Sequence, residues 1–164
     1  MDSTLKQNIL VVEDNENTRR LLETILRSAG YEVTPAPDAE EGLRILHGGA
    51  PVDLVLLDLF LPGADGIQFL RARAHMEADR QPPVIVVSAT EDMDTLRPQL
   101  RELGAKMALR KPFDVQELLD GVRQHATKRT GKAASVTAAS SAMKGAAAAK
   151  APRRKTKGKS TTKS

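Results

Sequence analysis

The chain has 164 residues, which is enough for one domain with a full hydrophobic core and an appendage. It contains no cysteine, which excludes disulfide bonds and thiolate metal sites and fits a reducing cytoplasm. The net charge of +4 is divided unevenly: residues 1–127 carry 21 acids and 14 Lys and Arg, a net −7, whereas residues 128–164 carry 11 Lys and Arg and no acid, a net +11.

The N-terminus begins "MDSTLKQNILVVED". No cationic region precedes its short apolar run, and charged residues follow within a few positions. We therefore predict neither a signal peptide nor a membrane-spanning segment, and we expect a cytoplasmic protein.

The first predicted unit is a strand followed by a helix. The apolar run "NILVV" (8–12) predicts a buried strand that ends in Glu13 and Asp14. A helix is predicted over 15–29, and Gly30 is a suitable C-terminal stop. One face of that helix is expected to carry its apolar side chains together with a threonine: Thr18, Leu21, Leu22, Ile25 and Leu26.

The second unit repeats this alternation with weaker signals. "YEVTPA" (31–36) alternates as an edge-like strand, and we expect Pro35 to close it. Asp38 then opens a helix over 38–46. Glu41 stands three residues later, which is the spacing of a capping box.

Two buried strands follow in the middle of the chain. "DLVLL" (53–57) precedes the helical segment "IQFLRAR" (67–73), and "PVIVVSA" (83–89) is an unbroken β-branched run. A shorter helix is predicted over 95–104, where Pro98 would be tolerated in the first turn.

The last predicted unit is "KMALR" (106–110), a modest strand, and a helix over 115–126. Asp114 and Glu117 form its capping box. Its inward face is expected to hold Val115, Leu118, Leu119 and Val122. Five apolar strands that alternate with five helices predict an α/β fold with a parallel sheet covered on both faces.

The composition changes from about residue 128. The segment "KRTGKAASVTAASSAMKGAAAAKAPRRKTKGKSTTKS" has no aromatic residue and only two large apolar ones. Such a segment cannot bury enough surface to offset the entropy of ordering it. We therefore predict a folded body over 7–127 and a disordered basic tail over 128–164.

Chemically useful side chains follow four of the predicted strands. Glu13 and Asp14 follow the first strand, Asp58 the third, Ser88 ends the fourth, and Lys111 follows the fifth. In a doubly wound sheet, ligands bind outside the carboxyl ends of the strands, where the strand order reverses. If the first and third strands are neighbours, these side chains converge.

Three converging carboxylates repel one another unless a cation lies among them. Oxygen ligands with several waters suit Mg²⁺. An aspartate such as Asp58 can attack phosphorus and form an acyl phosphate, and a metal ion with Lys111 would neutralise the charge that develops. The placement therefore predicts a phosphoryl-acceptor site with Asp58 as nucleophile.

The chain resembles the receiver domains of two-component response regulators. The resemblance covers about residues 7–127 and rests on "ILVVED", "DLVLLDLFLPGADG", "PVIVVSA" and "GAKMALRKPF". It implies the flavodoxin-like strand order 2-1-3-4-5. It also implies that a histidine kinase or phosphotransfer protein supplies the phosphoryl group to Asp58.

The resemblance also implies residue roles. Asp14, Asp58 and the backbone carbonyl of Phe60 would ligate Mg²⁺, while Glu13 would act through water. Ser88 would be the switch hydroxyl. Lys111 would be the lysine before a proline, and this Lys-Pro bond is often cis in the family.

One position departs from the family pattern. Receivers usually carry Tyr or Phe three residues before the lysine, and this sequence has Ala108. The aromatic side chain normally turns inward as the hydroxyl moves to the phosphate. We expect intact phosphoryl chemistry but an altered relay to the face of helix four, strand five and helix five.

Other classes of protein fit less well. A haloacid dehalogenase-type phosphohydrolase needs a second aspartate where Phe60 stands, and a P-loop needs glycine where Arg153 stands. The three histidines lack metal-ligand spacing and are interpreted as surface residues: His47, His75 and His125.

We interpret the protein as a single-domain response regulator that signals by phosphorylation-dependent protein contact. Its only enzymatic activity would be self-phosphorylation and autodephosphorylation at Asp58. The alternative is a phospho-regulated, nucleoid-type protein whose tail binds nucleic acid without sequence preference. A tail that serves only as a linker or solubilising segment is equally compatible with its composition.

Overall fold

Strands and helices alternate along the part of the chain that the computed structural model describes, which is residues 5–61, 63 and 65–127. The elements are β1 (Asn8–Val12), α1 (Glu16–Ser28), β2 (Glu32–Ala36), α2 (Ala39–His47), β3 (Leu54–Leu57), α3 (Gly66–Ala74), β4 (Val84–Ser88), α4 (Met93–Glu102), β5 (Ala105–Arg110) and α5 (Val115–His125). A short 3-10 helix, Ala78–Arg80, precedes β4. The predicted disordered tail, 128–164, lies outside the described residues.

All five strands form one parallel sheet in the order β2-β1-β3-β4-β5. The strands β1, β3 and β4 are apolar at almost every position because helices cover both faces of the sheet. The predicted α/β class and the flavodoxin-like strand order are therefore confirmed. β1 and β3 are neighbours, with Val12 opposite Leu57, so the strand order reverses between β1 and β3.

The hydrophobic core has two layers, one on each side of the sheet. Alternation along β1 sends Leu10 and Val12 to one layer and Ile9 and Val11 to the other. The first layer contains side chains from α2, α3 and α4, including Leu46, Phe69 and Met93. The second contains side chains from α1 and α5, including Leu26 and Leu118. Helices on both sides therefore hold the strand ends in place.

Three helices begin or end at the capping residues that the sequence predicted: α2 begins after Asp38, α5 begins after Asp114, and α1 ends before Gly30. The Asp38 carboxylate accepts a hydrogen bond from the Glu41 backbone N–H at 2.8 Å, and Asp114 accepts from the Glu117 N–H at 3.1 Å. Gly30 follows α1 with a φ of +96°, a conformation that favours glycine.

Two prolines occupy different positions within their strand or helix than the sequence predicted. α4 begins at Met93 rather than at residue 95, so Pro98 lies inside the helix and not in its first turn. Met93 is completely buried, and the burial of this side chain favours the longer helix. Pro35 lies within β2 instead of closing it, which an edge strand tolerates because it pairs on only one side.

The expected inward faces of α1 and α5 were partly wrong. Leu21 is 54 % exposed and Val115 is 45 % exposed, whereas Leu22 and Leu118 are buried. Each helix contacts the sheet along a stripe narrower than its apolar face. Within residues 5–61 and 65–127, no helix is both long and apolar enough to cross a membrane.

Candidate functional site

Three carboxylates meet where β1 and β3 end. Glu13 directly follows β1, Asp58 directly follows β3, and the Asp58 backbone N–H donates to the Val12 carbonyl at 3.0 Å. One carboxylate oxygen from each of Glu13, Asp14 and Asp58 lies within 4.8 Å of the others. Glu13 and Asp58 are buried, while Asp14 is exposed. The convergence expected from the strand ends is present.

Lys111 approaches the same carboxylates from the far side of β4. Its Nζ donates to Glu13 Oε2 at 2.6 Å and to Asp58 Oδ2 at 3.2 Å. The Lys111 backbone N–H donates to the Ser88 carbonyl at 2.8 Å, and the Lys111–Pro112 peptide bond is cis. One cation therefore faces two buried anions.

Burial and charge act on the site in opposite directions. Burial raises the pKa of Glu13 above its ordinary value, the Lys111 hydrogen bond lowers it, and the Asp58 charge raises it again. Burial lowers the pKa of Lys111, but the Glu13 hydrogen bond and the Asp58 charge outweigh burial and raise it overall. Lys111 therefore stays protonated. Its single positive charge does not fully compensate for the burial of the Glu13 carboxylate beside Asp58.

The three carboxylates carry more negative charge than the Lys111 ammonium neutralises, and such an excess favours the binding of a divalent cation. The three side chains offer only oxygen atoms, and Asp14 opens the group to solvent. Such a donor set, with room for water, fits Mg²⁺. The acidic pocket is thus compatible with Mg²⁺. The role expected for the Phe60 carbonyl stays a prediction; the Phe60 N–H donates to Asp58 Oδ1 at 3.1 Å.

Ser88 lies at the end of β4, at the same edge of the sheet. Its side chain is completely buried, and its Oγ has no hydrogen-bond partner among the described residues. A buried hydroxyl without a partner is unfavourable, so a ligand oxygen nearby would stabilise it.

Three residues that support the site were missed by sequence reasoning. Arg19, one turn into α1, donates from Nη1 to the carbonyls of Glu13 at 2.9 Å and Asp14 at 3.3 Å. The Asn15 N–H donates to Glu13 Oε1 at 3.1 Å. No spacing rule reveals these contacts, because they depend on how the loop after β1 turns into α1.

Gly66 is the third of these residues. The sequence shows it as a glycine in the loop that follows Asp58. A Cβ at this position would lie 2.6 Å from the Asp58 carbonyl oxygen and 2.7 Å from the Leu59 Cα. Both neighbours are backbone atoms that cannot move aside easily. The absence of a side chain therefore lets α3 begin directly against the strand end that carries Asp58.

The remaining predicted positions lie away from the carboxylates. Ala108 lies on β5 and is 8 % exposed, on the α4 side of the sheet. His47 and His75 are exposed and His125 is half-buried. The described part of the chain brings no histidine into a candidate metal cluster.

Comparisons with known proteins agree with this geometry. The family model "Response regulator receiver domain" matches residues 9–123. The sporulation initiation phosphotransferase F of Bacillus subtilis is 34 % identical over 121 residues, which are 74 % of this chain and 94 % of that protein. The DNA-binding response regulator MtrA of Mycobacterium tuberculosis is 36 % identical over 120 residues, 73 % of this chain but 50 % of that regulator. The match thus spans about half the length of such transcriptional regulators.

Solved structures give the same result. A putative response regulator from Chloroflexus aurantiacus superposes with a TM-score of 0.67 at 31 % identity, covering 75 % of this chain and 99 % of that one. The response regulator TrrA from Thermotoga maritima, solved in complex with Mg²⁺-BeF, superposes with a TM-score of 0.63 at 30 % identity, covering 72 % and 97 %. With its fold and acidic strand ends, this chain belongs to the response regulator receiver family.

Proposed function

We propose that the domain formed by residues 7–127 accepts a phosphoryl group on Asp58 from a histidine kinase or phosphotransfer protein. The phosphorylated form would then signal by contact with another protein. The observation that carries this proposal is the position of Asp58 at a strand end, 3.2 Å from the Lys111 ammonium and grouped with Glu13 and Asp14.

The proposed reaction is a simple transfer. A carboxylate oxygen of Asp58 attacks the phosphorus of a phosphohistidine, and the phosphorus–nitrogen bond breaks with its electron pair going to the imidazole. Water later hydrolyses the acyl phosphate and restores the carboxylate. The protein therefore modifies only itself, and receiver domains are in general phosphoryl acceptors rather than enzymes that act on a separate substrate.

Lys111 and Ser88 are suited to support this transfer. The Lys111 ammonium lies beside Asp58 Oδ2, where it can offset negative charge on the transferred group. The Ser88 hydroxyl, buried and without a partner among the described residues, can donate to a phosphoryl oxygen. Both groups are held by the ends of β4 and β5, which the Lys111 N–H to Ser88 carbonyl bond ties together.

Mg²⁺ is the cofactor in this proposal. Asp14, Asp58 and the Phe60 carbonyl would hold it directly, and Glu13 would contribute through water. When bound, the ion would neutralise charge on the phosphoryl oxygens. The donor set at the strand ends and the Mg²⁺-BeF complex of the Thermotoga relative support this assignment.

We propose that a single receiver domain passes the signal on by direct contact with another protein. It is supported by the match to the Bacillus phosphotransferase, of which the alignment covers 94 %. A cytoplasmic location is part of the proposal, in keeping with a sequence that lacks cysteine.

The test is phosphoryl uptake by the whole chain. Wild-type protein and Asp58→Asn are incubated with Mg²⁺ and either acetyl phosphate or a phosphorylated histidine kinase, and phosphorylation is followed by intact-mass spectrometry. We expect one phosphoryl group on the wild type and none on Asp58→Asn. Asp92→Asn is the matched control, because Asp92 is an exposed aspartate at the start of α4 whose side chain makes no capping bond. Equal uptake by the wild type and Asp58→Asn would refute the proposal.

A further inference from the structure

The negative charge of the domain is concentrated at one end. Each strand is followed by a helix, so the end of the sheet that carries Asp58 also carries the first turns of all five helices. We call this end the carboxyl half and define it as the residues from the last position of each strand to the sixth position of the next helix: 12–21, 36–44, 57–71, 88–98 and 110–120. It holds 14 acids and seven Lys and Arg, a net −7. The other described residues hold six acids and seven Lys and Arg, a net +1.

Helix capping accounts for part of this distribution. An acid is favoured at the start of a helix, because it accepts from free backbone N–H groups and faces the positive end of the helix dipole. Asp38, Asp65 and Asp114 cap their helices in this way. The dipole adds roughly half a positive charge at each helix start and half a negative charge at each helix end. That contribution reduces the difference between the two halves of the domain without reversing it.

Much of the negative charge in the carboxyl half has no cation beside it. Arginines on the same helix pair with four of its acids, but these pairs are largely exposed and therefore weak. Several exposed acids of this half make no ion pair within the described part of the chain: Asp14, Glu40, Glu91, Asp92 and Glu117. The surface around the three site carboxylates is thus suited to a polycation.

A cluster of cations is present in the basic tail of the same chain. Five of the eleven Lys and Arg of the tail fall within residues 153–159, which read RRKTKGK. The tail begins at the opposite end of the domain from Asp58. There the Thr127 backbone N–H donates to the Asp53 carbonyl at 3.3 Å, just before β3, and Gln7 Nε2 donates to the Ala126 carbonyl at 3.1 Å. The half of the domain nearest to the start of the tail therefore carries the net +1.

The tail is long enough to reach the carboxyl half. The 26 residues from Thr127 to Arg153 can span at most about 90 Å. A domain of this size has a radius of gyration of roughly 14 Å, so a path over its surface from one end to the other is roughly 57 Å long. A tether of this kind also gives the segment a local concentration on the order of 1 mM. Both reach and concentration therefore favour a contact within one molecule.

We infer that residues 153–159 of the basic tail bind the carboxyl half of their own domain, where their cations face the exposed acids and hinder Mg²⁺ from reaching Glu13, Asp14 and Asp58. The contact itself does not depend on phosphoryl transfer. Only its consequence, weaker Mg²⁺ binding and slower phosphoryl uptake, rests on the proposed function.

Paramagnetic broadening in NMR spectra tests the contact in the full chain. The protein has no cysteine, so Ser160→Cys places a single nitroxide beside the segment. At about 20 mM salt, we expect the amide signals of ¹⁵N-labelled protein to broaden at least twofold more in the carboxyl half than in the other half. At about 0.5 M salt the difference should disappear, because salt screens exposed charges.

Charge variants of the tail identify the segment that binds. The broadening should be lost when the five cations are neutralised together: Arg153→Gln, Arg154→Gln, Lys155→Gln, Lys157→Gln and Lys159→Gln. The control neutralises Lys128, Arg129 and Lys132, which lie within about 18 Å of Thr127 and cannot reach the carboxyl half. That control should keep the broadening of the unmodified tail.

Charge variants of the domain identify the surface that is bound. Glu40→Gln, Glu91→Gln and Glu117→Gln, combined in one protein, should reduce the broadening at least twofold. The matched control removes three exposed acids of the other half: Glu77→Gln, Asp79→Asn and Glu102→Gln. The control should broaden as the unmodified domain does, because its acids do not face the tail segment.

Calorimetric Mg²⁺ titration measures the consequence for the site. At about 20 mM salt, the protein with the neutralised segment should bind Mg²⁺ about threefold more tightly than the wild type, and the two should agree at about 0.5 M salt. Equal affinities at low salt would overturn the claim that the tail hinders Mg²⁺.

A mixing experiment distinguishes the chain's own tail from the tail of a second copy. Protein labelled with ¹⁵N alone is mixed with unlabelled protein that carries the nitroxide. Broadening in this mixture as strong as in the singly tethered case would assign the contact to a second copy and overturn the inference, as would broadening spread evenly over both halves or retained by the neutralised segment. Asp58→Asn should show the wild-type pattern, so a failure of phosphoryl uptake would leave the contact standing.

Discussion

Lys111 Nζ lies 2.6 Å from Glu13 Oε2, joining two residues that are 98 positions apart in the sequence. The contact spans the ends of β3 and β4 and connects the end of β5 to the end of β1. Because Lys111 also contacts Asp58, one ammonium occupies the space beside two of the three carboxylates that would bind a metal ion. The lysine therefore contacts two of the anions that a metal ion would use.

Replacing Lys111 with Met should strengthen Mg²⁺ binding and weaken phosphoryl uptake. Without the ammonium, the buried carboxylates have no competing cation, so we expect Mg²⁺ affinity to rise about tenfold by isothermal titration calorimetry. Uptake from acetyl phosphate should fall about 10²-fold, the loss typical of one electrostatic contact to a reacting group. Lys106→Met, which removes an exposed lysine of β5, is the control. A Lys111→Met protein with weaker Mg²⁺ binding would contradict the shared-anion interpretation.

The raised pKa of Glu13 predicts a stability that depends on pH in the absence of metal. The folded protein binds this proton more tightly than the unfolded chain, so the contribution of Glu13 is fully present below pH 4.5 and is lost as pH rises through the raised pKa. Lys111, Asp58, Asp14 and the Asn15 N–H surround the group.

Glu13→Gln cannot lose this proton, so its melting temperature should increasingly exceed that of the wild type as pH rises above about 4.5. The difference should level off once Glu13 is fully ionised, and saturating Mg²⁺ should reduce it. Thermal denaturation followed by circular dichroism measures both. Glu102→Gln, at an exposed position of α4, controls for the loss of one surface charge. Parallel wild-type and Glu13→Gln profiles across this range would count against the burial argument.

Arg19 should act as a positioning residue for the metal ligands. Its guanidinium holds the carbonyls of Glu13 and Asp14, so Arg19→Ala should let the loop after β1 move and weaken Mg²⁺ binding about tenfold. Arg19→Lys should recover part of the affinity, because one ammonium can still donate to a carbonyl.

Arg20→Ala is the matched control for Arg19, since Arg20 is the next residue of α1 and, among the described residues, its side chain pairs only with Glu16 at the surface. Calorimetric Mg²⁺ titration should separate the two variants, and urea unfolding should show how much of the effect is general destabilisation. If both alanine variants bind Mg²⁺ equally, Arg19 has no special role.

The basic tail, outside the described residues, should bind duplex DNA without sequence preference. Eleven cations and no acid attract a polyanion, whereas the body with its net −7 repels one. If about four to eight phosphates are neutralised, log K against log salt should have a slope of roughly −4 to −7.

Fluorescence anisotropy of full-length protein and of a chain lacking residues 128–164 tests this directly. We expect truncation to abolish binding, and Asp58→Asn to leave it unchanged. Equal binding by the truncated chain, or no binding of full-length protein at low salt, would indicate that the tail is a linker or an arm for a specific protein partner.

Much of the fold followed from local sequence patterns. The unbroken apolar runs of β1, β3 and β4 predict strands covered on both faces, and Asp38 and Asp114 begin helices because their carboxylates accept from nearby backbone N–H groups. The convergence of Glu13, Asp14 and Asp58 could also be anticipated, since the carboxyl ends of neighbouring parallel strands meet at one edge.

Tertiary packing decided the rest. Leu21 and Leu22 look alike in the sequence, yet only the second contacts the sheet, because the orientation of α1 depends on the elements beside it. The bond from Arg19 to the Glu13 carbonyl depends on a loop path that no residue spacing determines, and so does the lack of a partner for Ser88 Oγ among the described residues. The position of Ala108 in the α4 layer of the core depends on a one-residue register shift between β4 and β5. The sequence by itself determined the order and approximate positions of the strands and helices and which acids follow the strand ends, because those properties arise from contacts between near neighbours. Only the folded chain determined which distant groups are joined by a hydrogen bond or contact the same cation, because those contacts join residues far apart in sequence.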